Sequence, residues 1–356
     1  MLGPSQGRGV TSRSEKQNLY RDLQRGRSDR PALGERKGKK MVKTNYLGAL
    51  AATAGALVAV GLLLLMMLVV EVRPAEATFP GKPKVGGGSG FNVTNNTTND
   101  YTPSYSPNGK EIVYRGTGSN GGHNEIYTIK VSGGGRLQVT NDTKNLRDPS
   151  YLPSGKRIAY SGYDGQDWEI YTINAGGGER VRITNNTMKE MDFDYSPGGK
   201  KITFQGYDGQ DKEIYTINAG GGGRVQVTNN TTKDGEPSYS PSGKKIAYAG
   251  YDGQDWEIYT INAGGGERVQ ITNNTMKEMD LAYSPGGKKI AFQGYDGQDK
   301  EIYTINASGG GRLQVTNNTT KDGEPSYSPS GKKIAYEGYG GQDKEIYTIN
   351  SGGGGR

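Results

Sequence analysis

The 19-residue stretch YDGQDWEIYTINAGGGERV occurs at residues 163–181 and recurs without a change at residues 251–269. Proteins rarely keep two identical copies of a reactive site. They often keep many copies of a structural unit that cannot bury its apolar face alone. The stretch therefore indicates a repeat architecture in which neighbouring units bury one another.

The repeat extends well beyond this stretch. The tripeptide EIY begins at six positions with a constant spacing of 44 residues, and a YSP or YLP tripeptide precedes each copy. Units of this length are typical of β-propellers, in which each four-stranded blade takes about 40–50 residues. The six EIY copies begin at Glu125, Glu169, Glu213, Glu257, Glu301 and Glu345.

Each unit divides into four short segments, PSYSP, KIAY, EIYTIN and VQVT in a typical copy. They are rich in the β-branched and aromatic residues that favour strands. Glycine-rich turns separate them, because glycine adopts positive φ without strain. No window after the leader keeps the 3.6-residue period of a helix. We therefore predict an all-β fold, a six-bladed β-propeller over residues 90–356.

The two ends of the repeat complement each other. The last unit stops at Arg356 without a fourth strand, whereas GFNVTNNTT at residues 90–98 matches RVQVTNNTT at residues 224–232. We predict that residues 91–94 form the outer strand of the last blade. This pairing protects a strand edge and holds the two ends of the ring together.

The positive charge of the chain belongs to its leader. The formal charge is +7, but residues 1–45 hold 12 Lys/Arg and 4 Asp/Glu, whereas residues 78–356 hold 31 of each. Without an excess of positive charge, the folded part is not expected to bind nucleic acid. The chain has no cysteine and one histidine, His123. Disulfides, thiol chemistry and sites that need two imidazoles are therefore excluded.

The leader contains a membrane-length segment. Residues 46–70 form 25 consecutive residues without a charge, enough to cross a hydrocarbon core of about 30 Å. Lys40 and Lys43 precede it, which orients the rest of the chain outwards. Ala75-Glu76-Ala77 matches a signal-peptidase site. Two interpretations stay open, a cleaved signal peptide and an uncleaved membrane anchor.

We expect residues 1–45 to be a basic disordered segment, residues 46–77 a signal peptide or anchor helix, and residues 78–89 a linker. Met41 begins a compact signal peptide by itself, so it is an alternative start of the chain. Either interpretation places the propeller outside the cytoplasm, in the periplasm, on the cell surface or secreted. Membrane contact is expected only through residues 46–70, and the folded part is expected to be a monomer.

The stretch PSYSPSGKKIAYAGYDGQDWEIYTINAGGGERVQITNN at residues 237–274 resembles the repeat of TolB-type propellers. This WD-like blade also occurs in the propeller domains of prolyl-oligopeptidase-type enzymes. The resemblance covers about residues 90–356 and implies six blades. TolB itself carries an additional α/β domain ahead of its propeller, through which it engages envelope partners. Only residues 78–89 separate Ala77 from the repeat, so that domain is not expected, and whether the chain takes part in a Tol-type complex stays open.

The repetition argues against catalysis. A catalytic centre brings distinct groups with different pKa values to one reacting atom, whereas near-identical blades present each group several times. No Ser/His/Asp, Cys/His or metal-ligand set can be assembled, and no cofactor is expected. We predict a non-catalytic module that binds or scaffolds proteins or glycans at the cell envelope. The alternatives are a polysaccharide hydrolase or lyase acting in the propeller funnel, and a purely structural surface protein.

The candidate binding site is one rim of the ring. The YDGQD and NNT-[MT]-K-[DE] loops are expected at the same end, where their aromatic, amide and carboxylate groups suit sugars or polar peptides of envelope partners. As the alternative, DGQD is only a hairpin connection, because Asp-Gly is a strong turn signal. The rim residues are Tyr163, Asp164, Gln166, Asp167, Tyr207, Asp208, Gln210, Asp211, Tyr251, Asp252, Gln254 and Asp255.

Two further interpretations concern the same loops. Asp164, Asp167 and Glu169 alternate in a way that could present oxygens to calcium, although the loop lacks the length of an EF-hand and Glu169 begins a strand. Trp168 and Trp256 stand where later blades have lysine. An exposed tryptophan can stack on a sugar ring, but more often it packs against a neighbouring blade.

Overall fold

The computed structural model describes residues 84–85, 90–118, 122–295 and 297–353. The predicted basic segment, residues 1–45, and the predicted signal peptide or anchor, residues 46–77, lie outside these ranges. The described residues contain strands and turns but no helix, so none of them forms a helix that could span a membrane.

The described strands form six sheets, numbered here in chain order. They are β1 (Lys84–Val85), β2 (Phe91–Asn92), β3 (Asp100–Tyr105), β4 (Glu111–Thr117), β5 (Asn124–Lys130), β6 (Leu137–Gln138), β7 (Leu146–Tyr151), β8 (Arg157–Tyr163), β9 (Trp168–Asn174), β10 (Val181–Arg182), β11 (Met191–Tyr195), β12 (Lys201–Tyr207), β13 (Lys212–Asn218), β14 (Val225–Gln226), β15 (Asp234–Tyr239), β16 (Lys245–Tyr251), β17 (Trp256–Asn262), β18 (Val269–Gln270), β19 (Glu278–Tyr283), β20 (Lys289–Tyr295), β21 (Lys300–Asn306), β22 (Leu313–Gln314), β23 (Gly323–Tyr327), β24 (Lys333–Tyr339) and β25 (Lys344–Asn350).

Each sheet is one blade of a propeller. Four consecutive strands form an antiparallel meander in each of the first five blades, β3–β6, β7–β10, β11–β14, β15–β18 and β19–β22. The sixth blade has the order β2-β25-β24-β23. The first strand of every blade lines a central channel. The predicted six-bladed propeller is therefore confirmed.

The predicted closure of the ring is also confirmed. Strand β2 pairs antiparallel with β25, with Phe91 opposite Thr348 and Asn92 opposite Tyr347. The Val93 amide then donates to the Ile346 carbonyl at 2.7 Å, and the Val93 side chain is only 2% exposed. An N-terminal strand thus completes the last blade.

The segment predicted as a linker contains one short strand. Lys84–Val85 pairs parallel with β22, so the fifth blade gains a fifth strand at its outer edge. Parallel pairing at an outer edge satisfies backbone groups that would otherwise face solvent.

The hydrophobic core lies between neighbouring blades. One representative cluster joins Ile214 and Val227 of the third blade to Tyr239, Ile246 and Tyr248 of the fourth. The other clusters have the same composition in successive blades. A single blade would expose these side chains to water, so each blade depends on its two neighbours for burial.

The arginine at the end of the repeated stretch packs on the tyrosine of EIY. In the second blade, the Arg180 guanidinium lies 3.8 Å from the centre of the Tyr171 ring, which in turn stacks on Tyr160 at 5.9 Å. A Cβ added to Gly162 would lie 3.1 Å from the Tyr171 ring. Glycine is therefore required where the ring approaches the strand backbone.

Because β2 and Val93 complete the last blade, an internal deletion of residues 78–98 should destabilise the whole ring. We expect one cooperative thermal transition at a lower midpoint, with a loss of at least about 2–5 kcal/mol, the cost typical of removing a buried aliphatic side chain. Calorimetry of the deletion variant and of the intact chain measures this difference.

The matched control deletes only residues 78–89, which leaves β2 and Val93 in place. This control should keep most of the stability of the intact chain. An unchanged midpoint after the longer deletion would show that the ring does not depend on the closing strand.

Candidate functional site

The two loop families predicted to share a rim do lie at the same end of the propeller. In the fourth blade, Tyr251 pairs with Trp256 across the YDGQD hairpin, while the register of the first strand places Asp234 opposite Gly250. The Tyr251 amide donates to the Lys233 carbonyl of the NNTTK loop at 2.8 Å. We call this end the YDGQD rim, formed by residues 163–167, 207–211 and 251–255.

The first aspartate of each loop holds the hairpin together. Asp164 Oδ1 accepts the amides of Gln166 and Asp167 at 2.7 and 3.1 Å. Asp208 and Asp252 repeat both bonds in the next two blades. These hydrogen bonds lower the pKa of all three carboxyl groups. The first aspartates therefore act as turn formers, as the hairpin interpretation proposes.

The tyrosines and glutamines of the rim face solvent. Tyr163 is 37% exposed and Tyr207 is 51% exposed. Each hydroxyl donates to the carbonyl of the glycine two residues later at 3.2 Å, which orients the ring. Gln166 and Gln210 are exposed at the tips of the loops. Fixed aromatic faces and exposed amides are therefore repeated around the rim, with the half-buried Tyr251 and the exposed Gln254 as the third copy.

The second aspartate of each loop is half-buried and belongs to an acidic cluster. Carboxylate oxygens of Asp164, Asp167 and Glu169 lie within 4.8 Å of one another, and the third and fourth blades repeat the cluster. In the second blade, Arg182 contacts Asp164 at 2.7 Å and Glu169 at 2.6 Å. A guanidinium there occupies the position that the calcium interpretation gave to a metal ion.

In the third and fourth blades, Gln226 and Gln270 stand at the position of Arg182. The clusters there keep the carboxylates Asp208, Asp211 and Glu213, and Asp252, Asp255 and Glu257. Burial raises the pKa of Asp211 and of Asp255, and neighbouring carboxylates raise both further. Oxygen donors of this kind are the ones that hard cations prefer.

The tryptophans contact side chains of their own blade. The Trp168 ring lies 5.9 Å from the Tyr163 ring and 4.8 Å from the Arg147 guanidinium. Trp256 repeats the first contact with Tyr251 at 6.0 Å. Both tryptophans are half-buried. These ring contacts support the rim tyrosines, whereas the sequence had favoured packing against a neighbouring blade.

The glutamate of EIY ties the rim loops to the blades, a role that the sequence analysis missed. Glu213 is fully buried. It accepts the Asn230 amide at 2.6 Å and the Thr228 hydroxyl. The Asn230 side chain then donates to Asp234 at 2.7 Å. The N-x-x-x-[DE] pattern that follows five of the six outer strands was the available signal.

The aspartate or glutamate that accepts a hydrogen bond from the asparagine side chain, Asp234 in the fourth blade, has a buried counterpart in four other joints between blades. Burial is the largest cause that raises the pKa of each group, and a neighbouring EIY glutamate raises it further. The values are about 7 for Asp100, Asp234 and Glu278 and about 8 for Glu190 and Asp322. These acids are therefore largely protonated below neutral pH.

A second acidic group lies in the central channel and was not foreseen. One residue near the start of the first strand of each blade projects into a cavity of about 330 Å³. It is the third residue of that strand in four blades and the second residue in β11 and β23, which start later. All six adopt positive φ between 49° and 56°, a conformation that non-glycine residues rarely hold. The residues are Thr102, Asp148, Asp192, Glu236, Asp280 and Glu324.

The channel carboxyls are joined to one another across the blades. The Asp280 amide donates to Glu236 Oε2, and the Thr102 amide lies 3.4 Å from Glu337 Oε2. Burial raises the pKa of Asp192 to about 7 and of Asp280 to about 6, and neighbouring carboxyls add to both effects. The channel therefore holds carboxyl groups that titrate close to neutral pH.

Comparison with known proteins identifies the repeat. Residues 137–281 and 235–356 match the family model of the TolB β-propeller domain. The chain belongs to this family. A search of curated protein sequences gives no significant match.

Solved structures show the same fold at low sequence identity. A TolB-type protein of Agrobacterium tumefaciens is 20% identical with a TM-score of 0.56, covering 73% of this chain and 96% of that one. TolB of Acinetobacter baumannii is 21% identical with a TM-score of 0.58, covering 72% of this chain and 61% of that one. An oligogalacturonate lyase of Vibrio parahaemolyticus is 10% identical with a TM-score of 0.52, covering 73% and 92%. At these identities the likeness establishes the fold alone.

The buried joints predict a pH-dependent stability. The pKa of Asp322 is about 8 in the folded chain against an ordinary 3.8. Between these values the folded state keeps a proton that the unfolded state releases, so this group's contribution to stability falls as the pH rises. Asp322→Asn removes that dependence. The variant should therefore gain stability relative to the intact chain between about pH 5 and pH 8.5, by up to about 4 kcal/mol, measured by urea unfolding.

Asp208→Asn is the matched control for this experiment. The pKa of Asp208 is lowered by loop hydrogen bonds, so its contribution is already complete above its ordinary pKa. The difference between this control and the intact chain should stay constant over the same pH range. The assignment of Asp322 fails if its variant shows an equally constant difference.

Proposed function

We propose that this chain is an exported, non-catalytic propeller that binds a protein or polysaccharide of the cell envelope through the YDGQD rim. The observation that carries the proposal is the repetition of one rim tyrosine and one exposed glutamine in three successive blades, with the tyrosine exposed in the second and third blades and half-buried in the fourth. A ring that offers the same contact at regular intervals favours a partner that also repeats, because each weak contact raises the effective concentration for the next.

The rim chemistry suits such a partner. Tyrosine rings provide apolar faces for sugar rings or peptide side chains, and glutamine amides both donate and accept hydrogen bonds. The Tyr163 and Tyr207 hydroxyls are held by backbone carbonyls at 3.2 Å. Because these rings are oriented before binding, little side-chain entropy is lost when a ligand arrives.

The proposed location outside the cytoplasm rests on the leader. Residues 46–70 lack any charge, and the Ala75-Glu76-Ala77 site follows them. Such a leader directs the chain into or across a membrane. Membership of the TolB propeller family agrees with an envelope role, since the family takes its name from an envelope protein.

Loss of the rim tyrosines should weaken binding. The triple variant Tyr163→Ser, Tyr207→Ser, Tyr251→Ser removes three rim rings, two exposed and one half-buried, none of which belongs to the buried core. If each ring contributes about 0.5–1 kcal/mol, recovery of the partner should fall by about tenfold or more. Quantitative pull-down from detergent-solubilised envelope, scored for proteins and for polysaccharide, measures this change.

The matched control carries Val181→Ser, Val225→Ser and Val269→Ser in the same three blades. These valines are 40–43% exposed but lie on the outer edge strands, away from the rim. The control should recover the partner as well as the intact chain does. Equal recovery by the rim variant would show that the rim is not the binding surface.

A second candidate function is favoured by the channel. Glycoside hydrolysis uses two carboxyl groups, one of which must be protonated near neutral pH. Asp192 and Asp280 line one cavity and have raised pKa values. The channel carboxyls also serve as acceptors for backbone amides of the next blade, as Glu236 does for Asp280. This bonding gives them a structural role, and we therefore rank a hydrolase or lyase second.

The two candidates differ in a direct assay. Incubation of the intact chain with envelope polysaccharide or polygalacturonate should yield no new reducing ends or unsaturated sugars. Chain-length analysis of the polymer before and after incubation measures this. Cleavage that disappears in Asp192→Asn or Asp280→Asn would overturn the non-catalytic assignment in favour of the channel.

A further inference from the structure

Six equivalent turns lie at the end of the propeller opposite the YDGQD rim, beside the glycine-rich turns that join the third and fourth strands. Each of the six turns joins the first and second strands of one blade and contains a proline followed by glycine two residues later. The proline ring of one turn lies 3.4–3.8 Å from the position of a Cβ on the glycine of the next. The contacts form a closed cycle, Pro107–Gly155, Pro153–Gly199, Pro197–Gly243, Pro241–Gly287, Pro285–Gly331 and Pro329–Gly109.

A lysine follows the glycine of every turn. All six lysines are exposed, and none forms an ion pair with a residue in the part of the chain that the structure describes. Residues 106–111 and their five equivalents together hold 11 basic residues and one acidic residue, Glu111. We call the six the lysine ring, Lys110, Lys156, Lys200, Lys244, Lys288 and Lys332.

At the other end of the propeller, the hairpins between the second and third strands carry negative charge. The five loops at residues 163–167, 207–211, 251–255, 295–299 and 339–343 hold nine aspartates and no basic residue. The folded part is neutral as a whole, but these two sets of loops carry opposite charges at opposite ends. A neutral protein with separated charge can attract a charged partner to one face.

The backbone holds the lysine ring in place. In the first turn, the Gly109 amide donates to the Ser106 carbonyl at 2.8 Å, and the Lys110 amide donates to Asn108 Oδ1 at 2.9 Å. The other turns repeat the first of these bonds. Six cations on a fixed frame can engage a polyanion together, and their weak individual attractions then add.

A cavity beside the ring adds an aromatic contact. Phe91 lines it between the sixth and first blades, together with Lys110, Lys130, Lys333 and one carboxylate, Glu111, and its volume is about 820 Å³. Phe91 is 53% exposed. An aromatic face next to three ammonium groups fits a sugar that bears an acidic substituent.

A lipid surface fits this end less well. Proteins that lie on membranes combine basic residues with large apolar side chains that enter the acyl region. Among the described residues, the large exposed apolar side chains lie in the outer edge strands and at the YDGQD rim, not in the six turns. The turns instead present serine, asparagine and glycine beside the lysines.

We propose that the lysine ring is a second binding surface, which takes an anionic polysaccharide, a polymer whose sugar units carry carboxylate or phosphate groups. The ring recognises the regular negative charge of the polymer rather than one sugar. With the YDGQD rim at the opposite end, a partner bound there and a polymer bound at the lysine ring would be held by one molecule.

The test measures binding of the full chain, purified in detergent, to polygalacturonate and to phosphorylated dextran, with unmodified dextran as the neutral polymer. The quadruple variant Lys156→Gln, Lys200→Gln, Lys244→Gln, Lys288→Gln should lose affinity for both anionic polymers by about tenfold or more. Its affinity should also depend less steeply on salt, because fewer ions are released on binding. Replacement of the same four lysines by arginine should retain binding.

The matched control is Lys189→Gln, Lys233→Gln, Lys277→Gln, Lys321→Gln, which removes the same charge from exposed lysines of the NNT loops at the opposite end. Binding that survives in this control and fails in the turn variant supports the proposal. Equal effects of the two variants, or no binding of either anionic polymer by the intact chain, would overturn it. Stronger binding to vesicles of phosphatidylglycerol or to duplex DNA at the same salt concentration would also overturn it.

Discussion

The structure depends on the burial of one blade against the next. Each blade presents apolar side chains on both faces, as Ile214, Val227 and Tyr248 show at the joint between the third and fourth blades. No blade can bury these side chains alone, and an open stack would leave one apolar face in water at each end. A closed ring removes both exposed faces. The strand that carries Val93 is therefore as important as any internal strand, because it completes the blade at which the two ends meet.

The same joints that bury apolar side chains also bury acids, and this couples stability to the rim. Glu213 is fully buried and accepts hydrogen bonds from the loop that leads to the next blade. Asp234, at the start of that blade, completes the network through Asn230. Hydrogen bonds to buried carboxyl groups fix the position of this loop beside the neighbouring YDGQD hairpin. That position therefore depends on whether the carboxyl groups are protonated. Conditions that ionise these acids should therefore loosen the joints and the rim together.

The periodicity of EIY and YSP was sufficient to predict the six blades, their strand order, the closing strand and the shared end of the loops. Those features follow from a spacing that is visible along the chain. The channel carboxyls were missed because Asp148 and Glu324 are far apart in sequence, and only the ring brings them into one cavity. The lysine ring was missed for a related reason. A net charge of zero over residues 78–356 conceals two opposite charges that antiparallel strands place at opposite ends of the molecule.

Near-identical blades also determine where a unique site can exist. A feature repeated in every blade serves multivalent contact, whereas a singular site must lie where the repeat is broken. The joint between the sixth and first blades is such a place. Thr102 replaces the channel acid there, and its amide lies 3.4 Å from Glu337, which itself pairs with Lys344 at 2.6 Å. The corresponding residues of the other blades are Arg115, Ser161, Gln205, Ala249 and Gln293, so the Glu337 carboxylate has no counterpart there. The charge around the channel therefore differs from joint to joint although its frame has sixfold regularity.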